Sequence, residues 1–126
     1  MDNSKLVKQY WTYMDGGEFH KAGTCMAGDA IVYFPNTREA FRGRDAFIAF
    51  NTHYPGKWSI GIEKMITAGD TIVTAVRVMP EDGATSFCAT SFFTIHNGLI
   101  QEITEYWGEN GEPPQWRQDT PYAERY

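Results

Sequence analysis

Leu6, Val7, Tyr10, Trp11 and Met14 recur at helical spacing, and Asn3 or Ser4 just ahead of them can cap a helix. Gly16-Gly17 ends that run. A second, short helix is expected from Glu18, with Phe19, Ala22 and Met26 on one side and Gly28 as its stop. Ala30–Phe34 then reads as a short strand, broken by Pro35. Residues 36–42 read as a loop or irregular edge. Gly43 precedes a third helix, Arg44 to about Thr52, that buries Phe47 and Phe50, and Tyr54-Pro55-Gly56 closes it.

From Trp58 onward the pattern changes to that of a sheet. Trp58, Ile60, Ile62 and Ile66 mark a strand, and Gly69-Asp70 turns the chain. Thr71–Met79 is apolar on both faces, with Ile72, Val76 and Val78 opposite Val73, Ala75 and Met79. Such a strand must be covered on both sides. The helices can cover one side, and a second copy of the chain is the simplest cover for the other, so a homodimer through the sheet is expected. After a turn at 80–83, Phe87–His96 and Leu99–Trp107 form a hairpin around Asn97-Gly98. Strict alternation puts Leu99, Gln101, Ile103, Glu105 and Trp107 on one face of its second strand. Glu105 is the misfit there, because a carboxyl on a face meant for burial is costly unless paired, protonated or beside a wet cavity. The tail, 109–126, is rich in Pro and Gly and not helical, with Trp116 expected to dock it back onto the body. The whole reads as one domain over 1–126, with its core at about 5–108.

Composition narrows the partners. The net charge of −5, with no basic run, argues against nucleic acid or an anionic membrane surface. No apolar run approaches a membrane span, and the N-terminal residues lack a signal-peptide pattern, so the expected location is cytoplasmic. Cys25 and Cys88 are too few for a disulfide framework and read as small buried thiols. Aromatic residues make up 15% of the chain, more than a small core needs, so some should line a cavity or an interface.

Glu105 is the leading chemical candidate, since burial would raise its pKa toward neutrality. The plainer alternative is a pair with Arg77 or Lys64, or a place at the sheet rim. Tyr10 lies on the apolar stripe of the first helix, either as a hydroxyl donor to a developing oxyanion or as a core tyrosine. His53, at the end of the third helix, is an acid–base candidate or a surface residue. His20 and His96 read as exposed, and the three His are not spaced as metal ligands, so no metal and no cofactor is expected. Ser91 and Asn51 are polar positions able to point inward or to serve the backbone. Arg38, Arg42 and Arg44 either attract an anionic group or form a solvated patch. Nothing matches a phosphate loop or a nucleophile elbow.

The element order resembles the nuclear transport factor 2-like superfamily, which includes the SnoaL-like polyketide cyclases and the ketosteroid isomerases. Tyr10 through Gly17, Met26 through Pro35, Gly43 through Phe50 and Glu105 through Gly108 carry the likeness, which spans roughly residues 5 to 108. It implies an α+β, cone-shaped (cystatin-like) fold, with N-terminal helices packed on a curved antiparallel sheet. In the isomerases a carboxylate just before the Pro of the first strand moves the proton, and that position is Phe34 here. Tyr10 matches their oxyanion tyrosine. Their oxyanion acid falls at Ser91, or at Thr90 with the hairpin gap moved, and a supporting tyrosine falls at Asn51. Trp107 matches a wall aromatic. The resemblance therefore implies a kept cavity and a lost isomerase base, which excludes ketosteroid isomerase activity. Phe34, Phe50, Asn51, Ser91, Phe93, Ile103 and Trp107 are the expected lining.

Three functions fit this reading. One is a cofactor-independent isomerase, cyclase, dehydratase or hydrolase on a small apolar substrate, with Glu105 or His53 transferring a proton and Tyr10 steadying an oxyanion. Another is a non-catalytic module that binds a small apolar ligand in the same cavity. The third is a dimerisation module that acts through its sheet face.

Overall fold

The computed structural model describes residues 2–126. Helix α1 (Asn3–Asp15) begins at Asp2, whose carboxylate accepts a hydrogen bond from the Lys5 amide at 2.9 Å. The cap thus lies one residue ahead of the expected Asn3 or Ser4, and the Ser4 hydroxyl donates to the same carboxylate. Leu6, Val7, Tyr10, Trp11 and Met14 form its buried stripe. Helix α2 (Phe19–Gly23) is shorter than expected, because Met26 already belongs to strand β1 (Met26–Phe34). An irregularity in β1 between Met26 and Ile31 absorbs Gly28, which bends the strand instead of stopping a helix.

Residues 39–42 pair with β1 as a short antiparallel edge, β2 (Glu39–Arg42), so the edge alternative of the loop-or-edge reading holds for this part. Gly43, at φ 96°, then makes a bend that a side chain rarely adopts and starts α3 (Arg44–His53). Four long strands follow: β3 (Trp58–Ala68), β4 (Thr71–Pro80), β5 (Phe87–His96) and β6 (Leu99–Glu109). The sheet order is β2-β1-β6-β5-β4-β3. Every pairing is antiparallel except β1 with β6, which is parallel. The three helices pack on one face of this curved, unclosed sheet.

Two bulges correct the alternation read from sequence. In β3 the register shifts between Ile62 and Lys64, so Ile66 turns outward while Met65 turns in. In β6 it shifts near Gln101, so Ile100 is buried and Gln101 leaves the inner row to bond Asp29 at 3.0 Å. Ile103, Glu105 and Trp107 keep their shared face. The core sits between this face and the helices, around Val7, Tyr10, Phe47, Ile72, Phe93 and Ile103. Cys25 is buried, but Cys88 is exposed and directs its thiol to Asn110, because β5 presents it on the outer face. The tail does not dock through Trp116, which stays 82% exposed, with the Arg117 guanidinium 5.5 Å over its ring.

Candidate functional site

A cavity of about 820 Å³ lies between the helices and the inner face of the sheet. Its walls come from many short contributions, because α1, α3 and the ends of several strands converge there. Trp11 and Met14 enter from α1, Phe47, Phe50 and Asn51 from α3, and Phe34 from the end of β1. Trp58, Val78 and Phe87 supply the β3–β5 side, and Glu105 and Trp107 the β6 side. The volume suits a small organic molecule, and apolar walls with few polar groups are typical of such sites.

Glu105 is 3% exposed and is part of the lining of this cavity. Register explains its position. Glu105 lies opposite Ser91 on β5, which lies opposite Thr74 on β4, so three polar side chains cross the buried face in one row. Thr74 is satisfied by the Trp11 indole, whose Nε1 donates to its Oγ1 at 3.1 Å. Glu105 has no ion-pair partner among the described residues. Arg77 bonds Glu63 at 3.0 Å on the outer face, and Lys64 lies on that face opposite Ala75, so neither expected partner can reach it. Burial without a counter-charge pushes the Glu105 carboxyl up to about 7. The nearby Ser91 hydroxyl opposes this weakly; it makes no hydrogen bond of proper geometry and is itself buried without a partner.

Tyr10 is fully buried but sits behind the cavity wall, edge-on to Trp11 at 5.1 Å and to Phe93 at 5.6 Å. Burial first, and then the charge of Glu105, hold its hydroxyl well above the ordinary phenol range. Phe93 and Ile103 are likewise core residues behind the wall. Phe34, Phe50, Asn51 and Trp107 do line the cavity. Phe34 packs edge-on to Trp107 at 6.1 Å and to Phe50 at 5.9 Å. The Trp107 amide donates to Asn36 Oδ1 at 2.9 Å, which ties the loop after β1 to β6, while its indole N–H is buried without an acceptor. Asn51 donates to the Phe47 carbonyl at 2.8 Å. His53 is exposed and folds back on the Ala49 carbonyl at 2.8 Å, outside the cavity. Arg38 and Arg42 are exposed, and Arg44 bonds Asp45 at 3.3 Å.

Sequence reasoning missed Trp11, Trp58, Tyr54 and Phe87 as wall residues. Trp11 carries the same periodic signal as the core residues around it. The other three sit at element ends, where only the fold reveals that they meet: Tyr54 lies 5.6 Å from Trp58, and Trp58 5.8 Å from Phe87. At the cavity edge stand Asp15, Glu39 and Lys57. Asp15 accepts from the Ile60 amide at 2.7 Å, and Glu39 from the Thr37 hydroxyl at 2.5 Å. Among the described residues no group of three or more His, Cys, Asp or Glu side chains is placed to hold a metal ion. No helix among them is long and apolar enough to cross a membrane.

A family model described as a SnoaL-like domain matches residues 7–103. No curated protein sequence matches the chain significantly. Among solved structures, the chain resembles a candidate ketosteroid isomerase from Kribbella flavida, at 25% identity and a TM-score of 0.84 over 97% of this chain and 87% of that one. It also resembles a nuclear transport factor 2-like protein of unknown function from Burkholderia xenovorans, at 21% identity and 0.81 over 98% and 94%. An LEH-like epoxide hydrolase from M. tuberculosis shares the fold at 13% identity and 0.71, over 82% and 80%.

Proposed function

The chain belongs to the SnoaL-like domain family, and on that footing we propose that its cavity takes a small apolar molecule and that Glu105 moves a proton on it without a cofactor. The reaction class is isomerisation, cyclisation, dehydration or hydrolysis. One observation carries the reading: a carboxyl with no counter-charge among the described residues is buried against a largely apolar cavity, which pushes its pKa up to about 7. A group poised there is able both to give and to take a proton at physiological pH. The likeness to structures named for isomerase and epoxide hydrolase chemistry leaves the choice among reactions to the site, since one fold hosts many activities.

The other candidates take narrower parts. Phe34 offers no proton acceptor, so the isomerase route through that position is not proposed. Tyr10 lies behind the wall, where the charge of Glu105 helps keep its phenol protonated, and it takes no direct part. His53 points away and has no part. The outer sheet face, with Ile66, Phe92 and Tyr106 open, favours a homodimer as the second element of the reading. The test is a carbon-13 NMR titration of the glutamates. One carboxyl with a midpoint near 7, absent from Glu105→Gln, is the expected result. A Glu105 midpoint in the ordinary carboxylate range would leave a ligand-binding module without acid–base chemistry.

A further inference from the structure

Within the cavity lining, ionisable groups are distributed unevenly, and this bears on the ligand's charge. We propose that the cavity selects a small apolar amine, bound as its ammonium ion with the nitrogen at Glu105 and the carbon skeleton against the aromatic wall. The proposal rests on the reading that the cavity takes a small apolar molecule, and it adds the sign of that molecule's charge.

The lining holds three acids, Glu105, Asp15 and Glu39, against one cation, Lys57. Only Glu105 is buried; Asp15, Glu39 and Lys57 are exposed at the edge. Among the described residues no Arg or His lines the cavity. An anionic ligand would therefore bring its charge beside a carboxyl with no cation at depth to offset it. A neutral ligand would gain apolar burial and offer Glu105 at most a hydrogen bond, with no counter-charge. An ammonium ion supplies the missing partner, with N–H donors for the carboxylate.

The wall supplies the rest. Trp107, Phe87, Trp58 and Tyr54 form a continuous chain of rings, with neighbouring centroids 6.2, 5.8 and 5.6 Å apart. Trp and Tyr faces attract cations, and the attraction grows when water is excluded. The groups facing Glu105 from the elements packed on it are Tyr10 of α1, held neutral by burial, Ser91 of β5 and Trp107 of its own strand. None is cationic, so no internal counter-ion competes with the ligand.

The experiment uses three probes with one skeleton: 3-phenylpropylammonium, 3-phenylpropanol and 3-phenylpropionate. Binding is read by calorimetry on the full chain. At about pH 8, where Glu105 is ionised, the ammonium should bind at least about tenfold tighter than the alcohol, and the carboxylate weakest of the three. Below about pH 6 the preference should shrink as Glu105 gains its proton. In Glu105→Gln the ratio of ammonium to alcohol affinity should fall to about one. If that variant does not fold, the permanently charged trimethyl derivative of the ammonium probe, which has no N–H donor, tests the charge pairing alone in the unaltered chain: its affinity should fall as pH drops through about 7, and a pH-independent affinity overturns the assignment. Equal affinity for ammonium and alcohol at about pH 8, or a preference that survives in Glu105→Gln, overturns the amine assignment while the apolar-cavity reading stands. Binding of none of the three overturns both.

Discussion

The inner face of β4, β5 and β6 and the outer face of β3, β5 and β6 each depart, in places, from the usual rule of a half-buried sheet. Inside, Thr74, Ser91 and Glu105 are polar and closed off, with Glu105 only 3% exposed. Outside, Ile66, Phe92 and Tyr106 are large, apolar or aromatic, and 64, 42 and 47% exposed. Stability alone would choose the opposite arrangement, because polar burial costs and apolar exposure forgoes the hydrophobic gain. The inner departure is local to one row, and it opens on a cavity. The outer one is spread over β3, β5 and β6, as a surface meant for another surface would be. The two departures from alternation match the two proposed uses, one chemical and one associative.

Replacing side chains on each face separates these uses. The largest effect is expected from Phe93→Ala, an inner-face substitution in the closed core beside Tyr10 and Trp11. It should cost about 3–5 kcal/mol in denaturant unfolding. A loss below about 1 kcal/mol would mean that the inner face is loosely packed behind the cavity wall as well.

Glu105→Gln comes next. Burial pushes the folded carboxyl from its ordinary 4.5 up to about 7, so the folded state holds this proton more tightly than the unfolded chain does. Stability from this group is therefore complete below pH 4.5 and is lost as pH rises to about 7. The loss is on the order of 3 kcal/mol. Glu105→Gln should lack that slope and should gain on the unaltered chain as pH rises through this window. Parallel stability curves for the two proteins would place the carboxyl in water and remove the contrast between the faces.

The smallest effect on the folded chain is expected on the outside. Phe92→Lys should change the stability of a monomer by less than about 0.5 kcal/mol, yet convert a dimer to monomers in light scattering. An unaltered chain that is monomeric at micromolar concentration would leave the outer face without its proposed partner.

The elements with strong periodicity were legible from the sequence: α1, α3 and the hairpin of β5 and β6 follow directly from apolar spacing and from Asn97-Gly98, whose φ values of 51° and 73° are those the turn demands. Glu105 was legible for the same reason, as a break in a clear pattern. Bulges were not, since one inserted residue in β3 or β6 reverses a face without changing composition. The parallel pairing of β1 with β6 was not legible either, because it joins segments some 70 residues apart with no local signal. Tyr10, Phe93 and Ile103 show the limit for sites. Spacing places a residue on the inner face, but whether it forms the cavity wall or the layer behind it depends on how far α1 stands from the sheet.

The parallel pair also joins the first strand of the chain to the last. As the chain leaves the ribosome, α1, α2 and β1 emerge long before β6, the strand between β1 and the rest of the sheet. Until residues 99–109 arrive, β1 has only the short β2 as a neighbour, and the face that will hold Glu105 does not exist. Closing so long a loop is slow, and nascent helices and strands remain open to wrong contacts meanwhile. The strand that carries the proposed chemistry is thus also the one that completes the sheet, so a nascent chain stopped short of it has neither a finished core nor a site.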